Sequence, residues 1–208
     1  MLTRRNALVL SVAAAVTGAG AATAAPVAPV WLPGDMRLGN PKAPIQVIEY
    51  ASMACPHCAR FNAAVFAPFK LKYLDTGKAG YVLKEMLTEP QEVAAAGFLI
   101  ARCAGPNRYF DVVDQAFRSQ SRWQEGAIKP ILQQIALANG IAAPQFEACL
   151  TDKTQLEGLG RRVNRASLND GVDSTPTIFI NGKKVNGVPM TMAQMEVAIA
   201  IALKSGGR

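Results

Sequence analysis

The pattern of apolar and polar positions predicts a chain in which short strands flank a long helical region. An apolar run over residues 45–50 is typical of a buried strand, and residues 80–87 alternate loosely as the next one. Residues 37–39 fit a short edge strand. Near the other end, residues 178–180 predict a strand, and Asn181-Gly182 predicts a type I′ turn that makes it half of a hairpin.

Helices are predicted wherever apolar residues recur at intervals of three or four. Residues 59–74 form the first, and four residues share its apolar face: Phe61, Val65, Phe69 and Tyr73. From residue 91 to about residue 170 the pattern is helical throughout, and Arg161, Arg162 and Arg165 lie on the polar side of its last helix. Thr191 and Gln194 fit a capping box that opens a final helix.

The motif Cys55-Pro56-His57-Cys58 stands between the first buried strand and the first helix. Cys55 therefore lies where free backbone N–H groups and the positive end of the helix dipole favour a thiolate. Pro56 follows where a missing N–H costs nothing. His57, the only histidine, adds a donor and, when protonated, a positive charge. We expect Cys55 to be the attacking thiolate and Cys58 a less exposed resolving thiol with a more ordinary pKa.

This motif after an apolar strand, with Thr175-Pro176 far downstream, resembles the DsbA-like thiol:disulfide oxidoreductases over about residues 45–203. The resemblance implies an α/β thioredoxin fold with a helical domain inserted between its two halves. It also implies a depressed thiol pKa and an oxidising disulfide, which are known properties of DsbA. The chain then divides into a signal peptide (residues 1–24), an N-terminal segment (25–44), the first half of the thioredoxin fold (45–90), the inserted helical domain (91–170) and the second half (171–208).

The resemblance also assigns roles outside the motif. Thr175 and Pro176 match a cis-proline loop that faces the cysteines, where backbone groups of Thr175 pair with an extended substrate. Glu49, on the strand before the motif, matches a buried acid that relays protons to the resolving thiol. The alternative is a strand-end glutamate in contact with solvent. Lys84, on the next strand, is a hypothetical partner of Glu49 in that relay, although a surface lysine is the default.

Two further cysteines, Cys103 and Cys149, lie on the apolar faces of two predicted helices. Four cysteines allow three pairings, and a pair within the motif leaves these two to each other. An oxidising compartment favours closing them as a structural disulfide, worth about 4 kcal/mol on a chain-entropy estimate. The alternative is a pair of buried free thiols.

The N-terminus predicts export. Arg4 and Arg5 precede a charge-free apolar stretch over residues 7–19, and Ala22-Thr23-Ala24 fits a cleavage site, which together indicate a secretory signal. The general secretory route is favoured over the twin-arginine route, and an uncleaved membrane anchor is the alternative. The whole chain carries a net charge of +7 with its basic residues scattered, which argues against nucleic-acid binding.

The function that the resemblance implies is oxidation of protein dithiols in the periplasm. Reduced secreted or periplasmic proteins are the expected substrates, and a DsbB-like, quinone-linked membrane reoxidase is the expected partner. No cofactor or metal is expected, because the disulfide of Cys55 and Cys58 is itself the redox centre. The related isomerases carry an N-terminal dimerisation domain, and only about twenty residues are available here, so we expect a monomer.

Two other functions use the same residues. A disulfide isomerase or reductase would keep Cys55 and Cys58 reduced. A copper-handling protein is the second alternative, because Met53, Cys55, His57 and Cys58 offer soft ligands for Cu(I).

Overall fold

The computed structural model describes residues 31–125 and 128–205, which fold around a five-stranded sheet. The strands are β1 (Met36–Gly39), β2 (Ile45–Ala51), β3 (Ala79–Glu85), β4 (Thr177–Ile180) and β5 (Lys183–Lys184). Their order in the sheet is β1-β3-β2-β4-β5. β2 and β3 run parallel, and the other neighbours are antiparallel. All of the strands predicted from the sequence are present, and the predicted edge strand is β1. The predicted signal peptide lies outside the described residues.

Helical elements connect these strands. They are α1 (Pro56–Phe61), α2 (Ala67–Phe69), α3 (Gln91–Cys103), α4 (Tyr109–Ser119), α5 (Ile128–Ala138), α6 (Ala143–Thr151), α7 (Lys153–Leu168) and α8 (Met192–Ser205), with a 3₁₀ turn at Gln120–Glu125. The helices α3 to α7 lie between β3 and β4, which is the helical insertion that the sequence predicted.

The helical stretch after the motif contains two wide π turns, Asn62–Phe66 and Lys70–Leu74. The apolar residues of this stretch recur at a strict spacing of four, which would drift around an α-helix of 3.6 residues per turn. Wider turns remove that drift. The first three residues of the predicted apolar face, Phe61, Val65 and Phe69, are at most 1% exposed, whereas Tyr73 at its end is only partly buried.

Strand β2 is buried on both of its faces. Val47 and Ala51 belong to the large core beneath α1 and the inserted helices. Ile48 and Tyr50 belong to a smaller core on the other face, where Val172 also packs. Because successive side chains of a strand point to opposite faces, Glu49 lies on the same side as Val47, beneath the motif.

Buried ion pairs tie the inserted helices to the sheet. Glu85, at the end of β3, is 1% exposed, and its carboxylate accepts hydrogen bonds from Arg102 at 2.6 Å and from Arg162 at 2.5 Å. Arg162, which the sequence places on the polar side of its helix, therefore pairs with a buried acid at the end of β3. Arg165 also faces an acid, Asp170, at 3.9 Å.

A disulfide links the helices α3 and α6. The sulfurs of Cys103 and Cys149 are bonded, with their Cα atoms 5.9 Å apart and a separation of 46 positions along the chain. This is the pairing that the sequence favoured.

The C-terminal part follows its local sequence. Asn181 and Gly182 both have positive φ, as a type I′ turn requires, and they join β4 to β5. The Gln194 backbone N–H donates to the Thr191 hydroxyl at 3.3 Å, while the Gln194 side chain accepts from the Thr191 N–H at 3.2 Å. This reciprocal pair is the predicted capping box of α8. Among the described residues, no helix has the length and apolar character needed to cross a bilayer.

Candidate active site

Cys55 caps the N-terminus of α1, at the end of a short loop that leaves β2. Its backbone is extended, with φ −83° and ψ 119°, and Pro56 occupies the first helical turn. The Cys55 N–H donates to the Ser52 carbonyl at 3.0 Å, which fixes the loop. The placement predicted for the motif is therefore confirmed.

The two cysteines of the motif are reduced and nearly covered. Cys55 is 6% exposed and Cys58 is 0% exposed, so Cys58 is the less accessible thiol, as predicted. Pro56 and His57, between the two cysteines, are exposed. Any partner that reaches sulfur here must reach Cys55.

The two thiols have opposite acidities. The hydrogen bond from the Cys58 thiol is the largest influence on Cys55. Burial opposes it, and Thr175 and the backbone N–H groups of Cys58 and His57 add to it, so that the pKa of Cys55 falls from 9.0 to about 5. Burial raises the pKa of Cys58 well above its usual range, and the hydrogen bond to Cys55 and the charge of Glu49 raise it further. The expectation of a more ordinary pKa at Cys58 is therefore wrong, because the sequence does not show how deeply that thiol is buried.

Thr175 and Pro176 lie in the loop before β4, next to the motif loop that follows β2. The peptide bond between them is cis, and Pro176 is buried. The Cys55 sulfur lies 3.4 Å from the Thr175 carbonyl oxygen and donates to it as a thiol. That contact is made by the thiol form. The pKa of Cys55 is nevertheless lowered, because the Cys58 thiol, the Thr175 side chain and the backbone N–H groups of Cys58 and His57 stabilise the thiolate. The Thr175 hydroxyl oxygen is buried with no hydrogen-bond partner.

The imidazole of His57 is in contact with Arg60, one helical turn further on. Its Nδ1 lies 2.6 Å from the guanidinium of Arg60, and since arginine can only donate, His57 is the acceptor. The contribution of His57 to the low pKa of Cys55 comes from its backbone N–H.

Glu49 is buried beneath the motif, with 2% of its surface exposed. Burial raises its pKa from 4.5 to about 8, against the hydrogen bond from Tyr81, which lowers it. The predicted pairing of Glu49 with Lys84 is wrong. Lys84 is in register with Tyr50, so its side chain points to the opposite face of the sheet, where it lies 3.2 Å from Asp35.

The described residues contain no group of three or more His, Cys, Asp or Glu side chains arranged to hold a metal ion.

Comparison with known proteins places this geometry in a family. The sequence matches the thioredoxin family over residues 32–200. The chain belongs to that family. It is 33% identical over 150 residues to a Rickettsia bellii protein that carries the provisional name protein-disulfide oxidoreductase. It is 25% identical over 158 residues to disulfide bond formation protein D of Bacillus subtilis.

These matches cover the chains unequally. The Rickettsia match takes 71% of this chain and 57% of its relative, so the chain spans little more than half the length of that relative. The Bacillus match takes 73% of this chain and 70% of the other. The crystal structure of Wolbachia pipientis alpha-DsbA1 superposes with a TM-score of 0.76 at 28% identity, over 85% of this chain and 94% of that one. The fold is therefore the DsbA-like form of the thioredoxin fold.

Sequence reasoning missed three residues that build the site of this thioredoxin-family chain. The Gln120 amide, from the inserted helical region, donates to the carbonyl oxygens of Met53 at 2.7 Å and Cys55 at 3.2 Å. Tyr81 donates to Glu49 at 2.5 Å, and Arg60 contacts His57. Arg60 alone had a local signal, because it lies one helical turn after His57. Gln120 and Tyr81 reach the site only through tertiary packing.

Proposed function

We propose that this protein is an exported thiol:disulfide oxidoreductase that acts as a dithiol oxidase, introducing disulfide bonds into reduced proteins. The observation that carries the proposal is the difference between the two thiols: Cys55 caps a helix with its pKa lowered to about 5, while Cys58 is fully buried and donates to it. Because the Cys55 thiolate is stabilised and Cys58 remains a thiol that donates to it, the reduced state of the pair is favoured.

The size of this preference follows from the pKa of Cys55. The pKa of Cys55, about 5, lies roughly two units below pH 7. Ionisation of this thiol at pH 7 therefore stabilises the reduced form by about 3 kcal/mol. For a two-electron couple this moves the potential by roughly 60 mV in the oxidising direction. An unionised pair on the same fold would lack this contribution.

In this reaction the electrons pass only between sulfur atoms of the substrate and of Cys55 and Cys58. A substrate thiolate attacks Cys55 of the oxidised pair, a new bond forms between those sulfurs, and Cys58 leaves with the electron pair of the broken disulfide. A second substrate thiolate then attacks the substrate sulfur of the mixed disulfide and releases Cys55 as a thiolate. The substrate gains a disulfide, and Cys55 and Cys58 are left reduced.

The substrate lies beside Thr175 and Pro176. These residues face Cys55 across a gap of 3.4 Å between its sulfur and the Thr175 carbonyl oxygen, and an extended chain can take over that backbone acceptor. Glu49 is the proton relay, since it is the buried acid beneath the cysteines, with a pKa of about 8. At pH 7 it therefore holds a proton that it can give to Cys58. Lys84 has no part in this relay.

The remaining elements of the proposal concern the cell. A cleavable signal at residues 1–24 delivers a monomer to the periplasm, where reduced secreted proteins are its substrates. A DsbB-like membrane protein restores the disulfide of Cys55 and Cys58 and passes the electrons to quinone. The Bacillus relative is named for disulfide bond formation, which supports the same direction of reaction.

Trapping of substrates tests the assignment of roles. The Cys58→Ser protein, with Cys55 first joined to glutathione as a mixed disulfide, is expected to exchange the glutathione for a cysteine of a reduced periplasmic protein and to hold that protein. The Cys55→Ser protein treated in the same way is expected to hold none. A matched assay follows the oxidation of a reduced two-cysteine peptide by the oxidised native protein. Equal trapping by both variants, or a native protein that leaves the peptide reduced, would overturn the proposal.

A further inference from the structure

The two carboxylate oxygens of Glu49 have different surroundings. Oε2 accepts a hydrogen bond from the Tyr81 hydroxyl at 2.5 Å. Oε1 is buried and has no hydrogen-bond partner. Buried polar atoms are almost always paired, so an unpaired oxygen on a carboxylate that is 2% exposed calls for an explanation.

Tyr81 is buried and packed between aromatic rings, and its hydroxyl donates to Glu49. The residue is 2% exposed, and its ring packs against Phe66 at 4.7 Å and against Phe110 at 5.9 Å between centroids. Burial, together with the neighbouring charge of Glu49, raises the pKa of Tyr81 well above 10. The phenol therefore keeps its proton throughout the range in which the cysteines react.

The groups that face Glu49 come from every element packed around it. Cys55 and Cys58 face it from the loop and α1, Tyr81 faces it from β3, and Tyr109 of the inserted helices lies beside Tyr81. Across the sheet, β4 places Ile178 in register with Glu49. Among the described residues no cation forms an ion pair with Glu49, and the Tyr81 hydroxyl is the side-chain donor that holds its carboxylate.

We propose that Tyr81 is a positioning residue for proton transfer, which holds Oε2 of Glu49 so that Oε1 exchanges the proton with Cys58. This inference rests on the function proposed above and names a residue that the function does not require by itself. When a substrate thiolate bonds to Cys55 and the disulfide breaks, Cys58 leaves with the electron pair and takes the proton from Oε1. Reoxidation returns the proton to Oε1 as Cys58 attacks again.

The hydroxyl of Tyr81 also makes the proton transferable. A hydrogen bond to the charged form of an acid stabilises that form, so Tyr81 holds the pKa of Glu49 below the value that burial alone would give. Tyr81→Phe removes the donor while keeping the ring. Because hydrogen bonds to charged groups are the stronger ones, we expect the titration midpoint of Glu49 to rise by about one to two pH units.

Two readouts test this on the full-length protein. The first follows the Glu49 carboxyl carbon by NMR during a pH titration of the oxidised protein. The second follows the single-turnover oxidation of a reduced two-cysteine peptide across the same pH range. Tyr81→Phe is expected to shift both midpoints upward together, whereas Tyr81→Phe in a Glu49→Gln background is expected to leave the pH profile of that background unchanged. Tyr73→Phe is the matched control, because the Tyr73 hydroxyl lies 3.4 Å from Glu196 and has no hydrogen bond to Glu49.

Each outcome decides between the two proposals. An unmoved Glu49 midpoint in Tyr81→Phe, with or without a slower reaction, would overturn the positioning role. A moved midpoint with an unmoved pH profile would also overturn it, because Glu49 would then not supply the proton. Peptide that stays reduced with the native protein contradicts the oxidase function itself, while the NMR titration still measures the link between the two residues. If Tyr81→Phe does not fold, replacement of Tyr81 by 3-fluorotyrosine, a stronger donor, is expected to move the midpoint downward, and an unmoved midpoint there would overturn the proposal.

Discussion

The Thr175 carbonyl oxygen lies 3.4 Å from the Cys55 sulfur, although 120 residues separate them in the chain. The contact exists because β4, which follows Thr175 and Pro176, pairs with β2, which precedes Cys55. The loop that follows β2 and the loop that precedes β4 therefore lie at the same end of these two neighbouring strands. In the function proposed above, a substrate thiolate that attacks Cys55 would therefore lie next to this carbonyl oxygen.

Stability should depend on pH through Glu49. Burial raises its pKa from 4.5 to about 8, so the folded protein holds a proton that the unfolded chain releases. The free energy of unfolding therefore falls as pH rises from about 4.5 to about 8. Glu49→Gln removes this dependence. By pH 8 we expect the variant to have gained on the order of 4 kcal/mol relative to the native protein, measured by denaturant unfolding at a series of pH values.

Ionisation of Cys55 changes the free energy of unfolding with pH in the opposite direction, so the measurement must exclude it. The pKa of Cys55 is lowered in the folded protein, so its contribution to stability grows between about pH 5 and pH 9. Oxidised samples remove this effect, because disulfide-bonded sulfurs do not titrate. Parallel pH curves for the oxidised native and Glu49→Gln proteins would contradict the account of Glu49.

Gln120 should hold the motif loop in place. Its amide donates to the carbonyl oxygens of Met53 and Cys55, and Met53 is fully buried. Gln120→Ala leaves these acceptors without that donor, so we expect a loss of about 1 to 2 kcal/mol in unfolding free energy. Hydrogen exchange of the motif amides is expected to accelerate. The exposed Gln134 gives a control, since Gln134→Ala is expected to change neither quantity. Equal effects of the two substitutions would count against a clamp.

The disulfide of the inserted helices should contribute to stability alone. It closes a loop of 46 residues, for which the chain-entropy estimate is about 4 kcal/mol. The Cys103→Ala, Cys149→Ala double variant is expected to unfold at a lower denaturant concentration and still to oxidise a reduced peptide. Loss of peptide oxidation in a variant that remains folded would show that this pair takes part in the reaction.

Much of this architecture can be predicted from local sequence, for identifiable reasons. The turn at Asn181-Gly182, the capping box of Thr191 and Gln194, and the helix start at Pro56 are all set by residues within a few positions of each other. Their conformations depend on local hydrogen bonds and backbone preferences, which the sequence displays directly.

The errors lie where strand register and helix packing decide. The sequence places Glu49 and Lys84 on neighbouring strands, but pairing of Lys84 with Tyr50 turns their side chains to opposite faces. Tyr81 takes the expected position of Lys84 because it lies on the correct face. The sequence likewise places Arg162 on the polar side of its helix but does not show that Glu85 of β3 is its partner. These relations depend on which residues face each other across the sheet, and periodicity alone does not contain that information.

The acidity of Cys55 and the redox equilibrium of its pair with Cys58 provide the most direct test of the central claim. Thiolate absorbance gives the pKa of Cys55 in the reduced protein, and a glutathione buffer gives the equilibrium. The account predicts a pKa of about 5 and a pair that glutathione readily reduces, as expected for an oxidant. A pKa near 9, or a disulfide that resists reduction by glutathione, would contradict it.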